Sequence, residues 1–308
     1  MSKKKPVLVV MAAGLGSRFG GLKQITAVDD KGHALMDYAI YDAKKAGFGE
    51  IVFIIRKEFE EQFKETVGVK TAKLGLPIHY VYQQLDMLPE GVSIPADREK
   101  PWGTTHAIWC CREVLADRDF LTINADDFYG YESLNLAAKF FAAEDADENE
   151  YAIIGYDVVK TLSEHGTVSR GICKVDENGN LIRIDERKEI KLENGCGYFT
   201  LDKGETYEKI PAEDVASMNM WAFRAGFVKD ISETFPERLK KGVEENPVKF
   251  EETLSDAVQA IMDRKACSVK IIPTPERWFG MTYKEDVPMV KARLQELVEE
   301  GQYPKEDW

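Results

Sequence analysis

Two rhythms of apolar and polar positions run through the chain. Short, largely apolar runs recur as VLVV from Val7, EIVFII from Glu50, LPIHYVYQQ from Leu76, FLTI from Phe120 and YAIIGYDVV from Tyr151. Runs of this length, rich in Val, Ile and aromatic residues, read as strands buried on both faces. Between the first two, HALMDYAIYDAKKAGFG sets Met36, Ile40 and Ala43 on one helical face and stops at Gly47 and Gly49. Charged EFEEQFKETV predicts a surface helix, and GTTHAIWCCREVLA a helix opened by Gly103 and Thr104. AAKFFAAEDADENE predicts a helix with an acidic tail. Leu85 to Trp102 holds prolines and charges without a period and is expected to be a mobile loop.

Strands that alternate with helices predict an α/β fold, with a three-layer, doubly wound, mostly parallel Rossmann-like sheet and right-handed crossovers. The second half changes character. GTVSRGICKV and NLIRID flank the turn DENGN, and NGCG marks a further turn, so a small β-rich subdomain is expected there. Helices over about 226–241 and 250–264, the strand SVKIIP and a closing helix complete the chain. The division expected is 1–160 and 161–308 within one continuous domain.

Composition narrows the partners. The 308 residues are 44% hydrophobic and 31% charged, enough for a large core. The net charge of −13 gives no overall basic field for nucleic acid or an anionic membrane. The basic start SKKKP lacks the apolar stretch of a signal peptide, and no run reaches the roughly 20 apolar residues that span a bilayer. A cytoplasmic protein is expected. Five cysteines without CxxC spacing read as reduced thiols, and four scattered histidines form no zinc motif. For each histidine a structural or surface role is the expectation.

An acidic protein that binds phosphates must gather its cations locally, and Val7 to Gln24, VLVVMAAGLGSRFGGLKQ, does so. The strand delivers its loop to the carboxyl edge of the sheet, where α/β proteins bind ligands. Gly14, Gly16, Gly20 and Gly21 allow backbone amides near anionic oxygens, and Arg18 and Lys23 add full charges. A tight turn with two solvated cations would look the same. The loop fits neither the dinucleotide GxGxxG, since Phe19 stands at the third glycine, nor the P-loop, since Lys23 follows Leu22 and precedes Gln24. A second chemical stretch, FLTINADDFYG, ends a strand in Asp126 and Asp127. Alternation turns one of them toward the site, and carboxylates beside a phosphate site suit Mg²⁺. An acidic loop without metal is the plainer alternative.

The run AAGLGSRFGGLKQ resembles the signature of the nucleotidyltransferases that join a nucleoside triphosphate to a sugar 1-phosphate or similar phosphomonoester. The resemblance extends over about residues 7–294, strongest at the start and loosest in the second half. It implies a nucleotide-binding first half and an acceptor-binding second half. Ala13, Gly14, Gly16, Gln83 or Gln84, Gly103 and Thr104 would bind the nucleotide, and Arg18, Lys23 and Asp126 would serve catalysis, with Asp126 on Mg²⁺. Glu186, Lys188 and Asn219 would meet the acceptor, although the family's Glu-Lys-Pro reads IDERKEI here, without the proline. Trp221 is expected to pack. The family's closing Trp-x-Asp-x-Gly-Thr keeps Trp278 and Thr282 but has Gly280 in place of the second metal-binding Asp. Glu285 and Asp286 read as first-turn acids of the last helix.

The reaction implied is attack of a phosphomonoester on the α-phosphorus with loss of pyrophosphate. A phosphomonoester, with a second pKa of roughly 6, needs no general base. A regulatory binder of sugar nucleotides with the same fold is the alternative, supported by the missing Asp. A glycosyltransferase would carry Asp-x-Asp, and Asp126-Asp127 has no spacer. The base, the acceptor and any homo-oligomer are left open.

Overall fold

The computed structural model describes residues 4–14, 23–144, 147–163, 166–202, 204–281, 284–306 and 308. The first half opens with β1 (Val7–Met11), α1 (Leu35–Ala46) and β2 (Glu50–Ile55). Two short helices, α2 (Glu60–Phe63) and α3 (Val69–Lys73), follow, joined by a π turn over Lys64–Gly68. Next come β3 (Ile78–Tyr82), α4 (Thr104–Cys110), β4 (Phe120–Asn124), β5 (Asp127–Phe128), α5 (Tyr131–Ala142) and β6 (Glu150–Asp157). The second half runs β7 (Val168–Val175), β8 (Leu181–Glu193), β9 (Cys196–Phe199), β10 (Glu208–Lys209) and β11 (Val215–Phe223). It closes with α6 (Gly226–Glu245), α7 (Leu254–Asp263), β12 (Ser268–Thr274), β13 (Phe279–Gly280) and α8 (Val287–Glu299).

The expected parallel core is present. β3, β2, β1 and β4 lie side by side, all parallel. The apolar runs explain it, because alternate residues of one strand feed opposite faces. Leu8 and Val10 pack with Met36 and Ile40 of α1, while Val7 and Val9 pack with Ile108 of α4 and Phe227 of α6. Helices on both faces are what a parallel sheet requires.

One strand joins the two halves. Trp221–Phe223 of β11 pairs antiparallel with β4, whereas Val215–Ser217 pairs with β7 on one side and β6 on the other. The register breaks between Ser217 and Trp221, and Asn219 in that bulge has φ of +61°. β12 extends the sheet parallel to β6. The β-rich subdomain is the antiparallel run β7, β8, β9, β10. Its Asn194-Gly195 turn has φ of +49° and +73°, the left-handed pair that tight hairpins use. Trp221 packs as expected, fully buried and stacked on Phe223.

The stretch expected as a mobile loop, 85–102, carries no regular element, and it is firmly anchored. The buried Arg98 guanidinium donates to the carbonyls of Lys100, Pro101, Pro247 and Phe250. It lies 3.6 Å over the buried Trp102 ring, and Trp102 Nε1 donates to Leu85 O at 3.0 Å. Among the described residues no helix is long and apolar enough to cross a membrane.

Candidate active site

Two stations form at the carboxyl ends of the parallel strands. The first is a cavity of about 330 Å³ lined by Ala13 after β1, Arg56 after β2, Gln83 and Gln84 after β3, and Trp102 and His106. The anchored 85–102 segment closes its far side through Leu85, Ile94, Glu99 and Pro101. Gln83 Nε2 donates to Gly103 O at 2.9 Å.

Gly103 and Thr104, expected beside the nucleotide, belong to a structural junction. Gly103 has φ of +97°, and a Cβ there would stand 2.2 Å from Glu252 O. Thr104 Oγ1 accepts the Leu254 N–H at 2.9 Å, and the Thr105 N–H donates to Glu252 O. The Thr105 amide at the start of α4 is therefore already paired with the segment before α7. Neither Gly103 nor Thr104 lines the cavity, although Gly103 O holds Gln83.

The second station lies where β1 and β4 end side by side. Lys23, the last cation of the signature loop, forms an ion pair with Asp126. Gln24 Nε2 donates to Gly14 O at 2.7 Å, which fixes the loop's exit against its entry. Gly16 and Arg18 fall outside the described residues. The two adjacent acids diverge as alternation requires. Asp126 is partly exposed, while Asp127 is 7% exposed and enters a two-strand ladder opposite Gly280. Asn124 Nδ2 donates to Asp127 Oδ2 at 2.8 Å, and the Tyr129 hydroxyl lies 3.2 Å from the same oxygen. Burial, and then the Asp126 charge, push the Asp127 carboxyl up to about 7, opposed by Asn124, Lys23 and Tyr129.

Gly280 now has a physical explanation. A Cβ at 280 would lie 2.5 Å from Asp127 Oδ1 and 2.9 Å from Trp278 Cζ2. The space that a carboxylate side chain on β13 would need is taken by the carboxylate of Asp127. Among the described residues no group of three or more His, Cys, Asp or Glu gathers. The partly exposed Asp126 nevertheless fits a hard divalent cation, which commonly takes one or two carboxylates and completes its shell with water and substrate phosphate.

Of the acceptor residues, the structure brings only Asn219 to these acids. Its Nδ2 donates to Asn124 Oδ1 at 2.9 Å, so Asn219, Asn124 and Asp127 form one hydrogen-bonded chain. The left-handed backbone at Asn219 is tolerated because an Asn side chain bonds locally. Glu186 and Lys188 are exposed on β8, where Glu186 lies across from Gly171. Arg170, which no sequence signal marked, lies on β7 4.7 Å from the Trp278 ring and bonds Thr161 Oγ1 and O. Asn124, Tyr129 and His106 were equally silent, since nothing but tertiary contact distinguishes them. Glu285 and Asp286 lie in the 3₁₀ turn Lys284–Asp286 ahead of α8, with Asp286 at the N-cap position, so they stand just before the expected first turn.

A Lys–Asp pair and a lined cavity at the carboxyl edge of a parallel sheet lie where α/β proteins bind ligands. The family profile described as nucleotidyl transferase matches residues 7–279, and the chain belongs to that family. It is 26% identical over 186 residues to a low-salt glycan biosynthesis nucleotidyltransferase of Haloferax volcanii, covering 59% of this chain and 44% of that protein. It is 26% identical over 194 residues to a UTP–glucose-1-phosphate uridylyltransferase of Bacillus subtilis, covering 55% and 59%. The matches thus span about half the length of these relatives. In fold the chain resembles the inositol-1-phosphate CTP transferase of T. maritima, with a TM-score of 0.61, 12% identity, and 96% and 98% of the two chains covered.

Proposed function

We propose that the protein is a Mg²⁺-dependent nucleotidyltransferase that joins a nucleoside triphosphate to a sugar 1-phosphate or similar phosphomonoester and releases pyrophosphate. The observation that carries this reading is the Lys23–Asp126 pair at the joint end of β1 and β4, between the lined cavity and Asn219. Simple nucleotide binding has no use for a cation and a carboxylate locked together there. A reaction that builds negative charge at one phosphorus needs both.

In this reading the cavity takes the base through Gln83 and Gln84, and Ala13, Gly14 and Gly16 follow the phosphates. Arg18 holds the β- and γ-phosphate oxygens, and Lys23 faces the α-phosphate. Mg²⁺ would be held by Asp126, with Asp127 beside it, and would offset charge on the α-phosphate and the incoming oxygen. Asn219 orients the acceptor from its bulge, and Glu186 and Lys188 reach it from β8. The acceptor phosphate is ionised near neutral pH, so no side chain need remove a proton. Catalysis is positioning plus electrostatics. Residues 1–160 serve the nucleotide and 161–308 the acceptor, in a cytoplasmic enzyme that needs neither nucleic acid nor membrane.

The test is pyrophosphate release with Mg²⁺ across nucleoside triphosphates and phosphomonoesters, with Asp126→Ala as control. Release from one combination that the variant loses supports the reading. Silence throughout, with a nucleotide or sugar nucleotide still bound in calorimetry, would replace it with a regulatory binder.

A further inference from the structure

We infer that Arg170 takes the phosphate of the acceptor: its guanidinium lies on the face of Trp278, beside the acids and the Asn219 bulge, with N–H groups to spare. This deepens the acceptor half of the reading proposed above and rests on it.

The sheet sets the placement. Gly171 pairs with Ser217, the last paired residue of β11 before the bulge that holds Asn219, so Arg170 leaves β7 next to that bulge. Its Cζ lies 4.7 Å from the centre of the Trp278 ring. The same indole borders the acids, because a Cβ at Gly280 would stand 2.9 Å from Trp278 Cζ2 and 2.5 Å from Asp127 Oδ1. One aromatic side chain therefore joins the arginine to Asp127.

The charge balance at Arg170 calls for an anion. A guanidinium has five N–H donors. Nε donates to Thr161 Oγ1, Nη2 to Thr161 O and Nη1 to Ser169 O at 2.8 Å, which leaves one N–H on each terminal nitrogen. Arg118, Arg224 and Arg238 meet Glu50, Asp119 and Glu252, whereas no carboxylate among the described residues pairs with Arg170. The side chain is only partly exposed, and a charge withdrawn from water needs a counter-charge. Burial lowers its pKa, the Asp127 and Glu186 charges oppose that, and arginine stays ionised.

The neighbouring cations are less suited. Arg187 lies directly across from Arg170, but its guanidinium leans to Asp185 and to the Phe199 ring, 4.6 Å away. Like charges opposite one another repel, and an anion on Arg170 would relieve what that lean does not. Lys188, the cation that the sequence suggests, is exposed on β8. A planar fork already held by a ring and by backbone oxygens loses little freedom when it meets two phosphate oxygens.

The assay takes the nucleoside triphosphate and phosphomonoester that release pyrophosphate, and measures KM for each, with Tm, in wild type, Arg170→Gln, Arg170→Lys and Lys188→Ala. Arg170→Gln should raise the acceptor KM about tenfold or more and leave the nucleotide KM nearly unchanged. Arg170→Lys, which keeps the charge and loses the fork, should fall between, and Lys188→Ala should raise the acceptor KM less than Arg170→Gln does. An arginine that only ties β7 to Thr161 would lower Tm and move both KM values together or neither. That result, or an effect of Lys188→Ala as large as that of Arg170→Gln, would overturn the inference. Should Arg170→Gln fail to fold, Arg170→Lys decides: a raised acceptor KM with the nucleotide KM unchanged supports it, and a wild-type acceptor KM overturns it. If no pair of substrates turns over, the enzyme reading fails, and calorimetry with glucose 1-phosphate decides this one separately. Binding about tenfold weaker in Arg170→Gln would keep Arg170 as the phosphate contact, and equal or absent binding would end it.

Discussion

Gly280→Ala adds one methyl group where Asp127 sits. The new Cβ would stand 2.5 Å from Asp127 Oδ1 and 3.2 Å from Asp126 O, against about 3.4 Å for ordinary contact. Backbone cannot easily yield, so the Asp127 carboxylate must. Its other oxygen is tied to Asn124 Nδ2 and lies within reach of Tyr129, so moving it strains or breaks those bonds. Overpacking costs about 1–3 kcal/mol, and a hydrogen bond to a charged group is worth about 1.5–3 kcal/mol. A loss of about 2–3 kcal/mol is expected, which in a chain of this length lowers Tm by about 3–5 °C. Differential scanning fluorimetry reads it directly. Asp127→Ala in the same molecule should return part of the loss, because the two changes relieve one contact and do not add. A Gly280→Ala protein that melts within 1 °C of wild type, by this roughly 1–3 kcal/mol reasoning, would refute the claim that Asp127 fills the place of the absent acid. The exchange Asp127→Ala with Gly280→Asp should then bind Mn²⁺ better than Asp127→Ala alone.

Lys23→Ala and Asp126→Ala should each lower turnover about 10²-fold or more, roughly 3 kcal/mol of transition-state stabilisation, while Tm changes little. Near-normal turnover in either would remove that residue from the proposed chemistry. Asp42 is buried, and its carboxyl is raised from 3.8 to about 7 by burial, with Tyr303 donating to it at 2.7 Å. The folded state then binds more protons than the unfolded one between those values, so the stability this group gives is full below about pH 4 and is lost as pH rises through about 7. Asp42→Asn should therefore lose less Tm than wild type between pH 5 and 8, by a few degrees; parallel curves would contradict the assignment. Arg98→Ala strands four carbonyls and uncovers Trp102, so it should cost about 3 kcal/mol or more and open 85–102 to limited proteolysis; an intact digestion pattern would show that the anchor is dispensable.

The parallel core was readable because a buried strand needs only a local signal. VLVV, EIVFII and FLTI are apolar on both faces, and Met36, Ile40 and Ala43 repeat at helical spacing. The family resemblance was readable for a related reason: the glycines of the signature run, Arg18 and Lys23 are neighbours in the chain. Alternation even foretold that Asp126 and Asp127 would part. What the pattern alone suggested about 85–102 was incomplete, because the anchor is Arg98 reaching Pro247 and Phe250, about 150 residues away.

The chain's local order therefore determined its elements, its signature run and the parting of its two adjacent acids. Tertiary structure decided how those parts answer one another. It put Asp127 against Gly280 across a short ladder, so that an absence in the sequence became a filled space. It bent β11 at Asn219 and tied that side chain to the acids through Asn124. It also brought the ring of His106, unremarkable in sequence, within 3.3 Å of the Gln83 amide. The reason is physical: hydrophobic period and backbone preference act between neighbours in the chain, whereas excluded volume and hydrogen-bond polarity act between atoms that only the fold brings within about 3 Å.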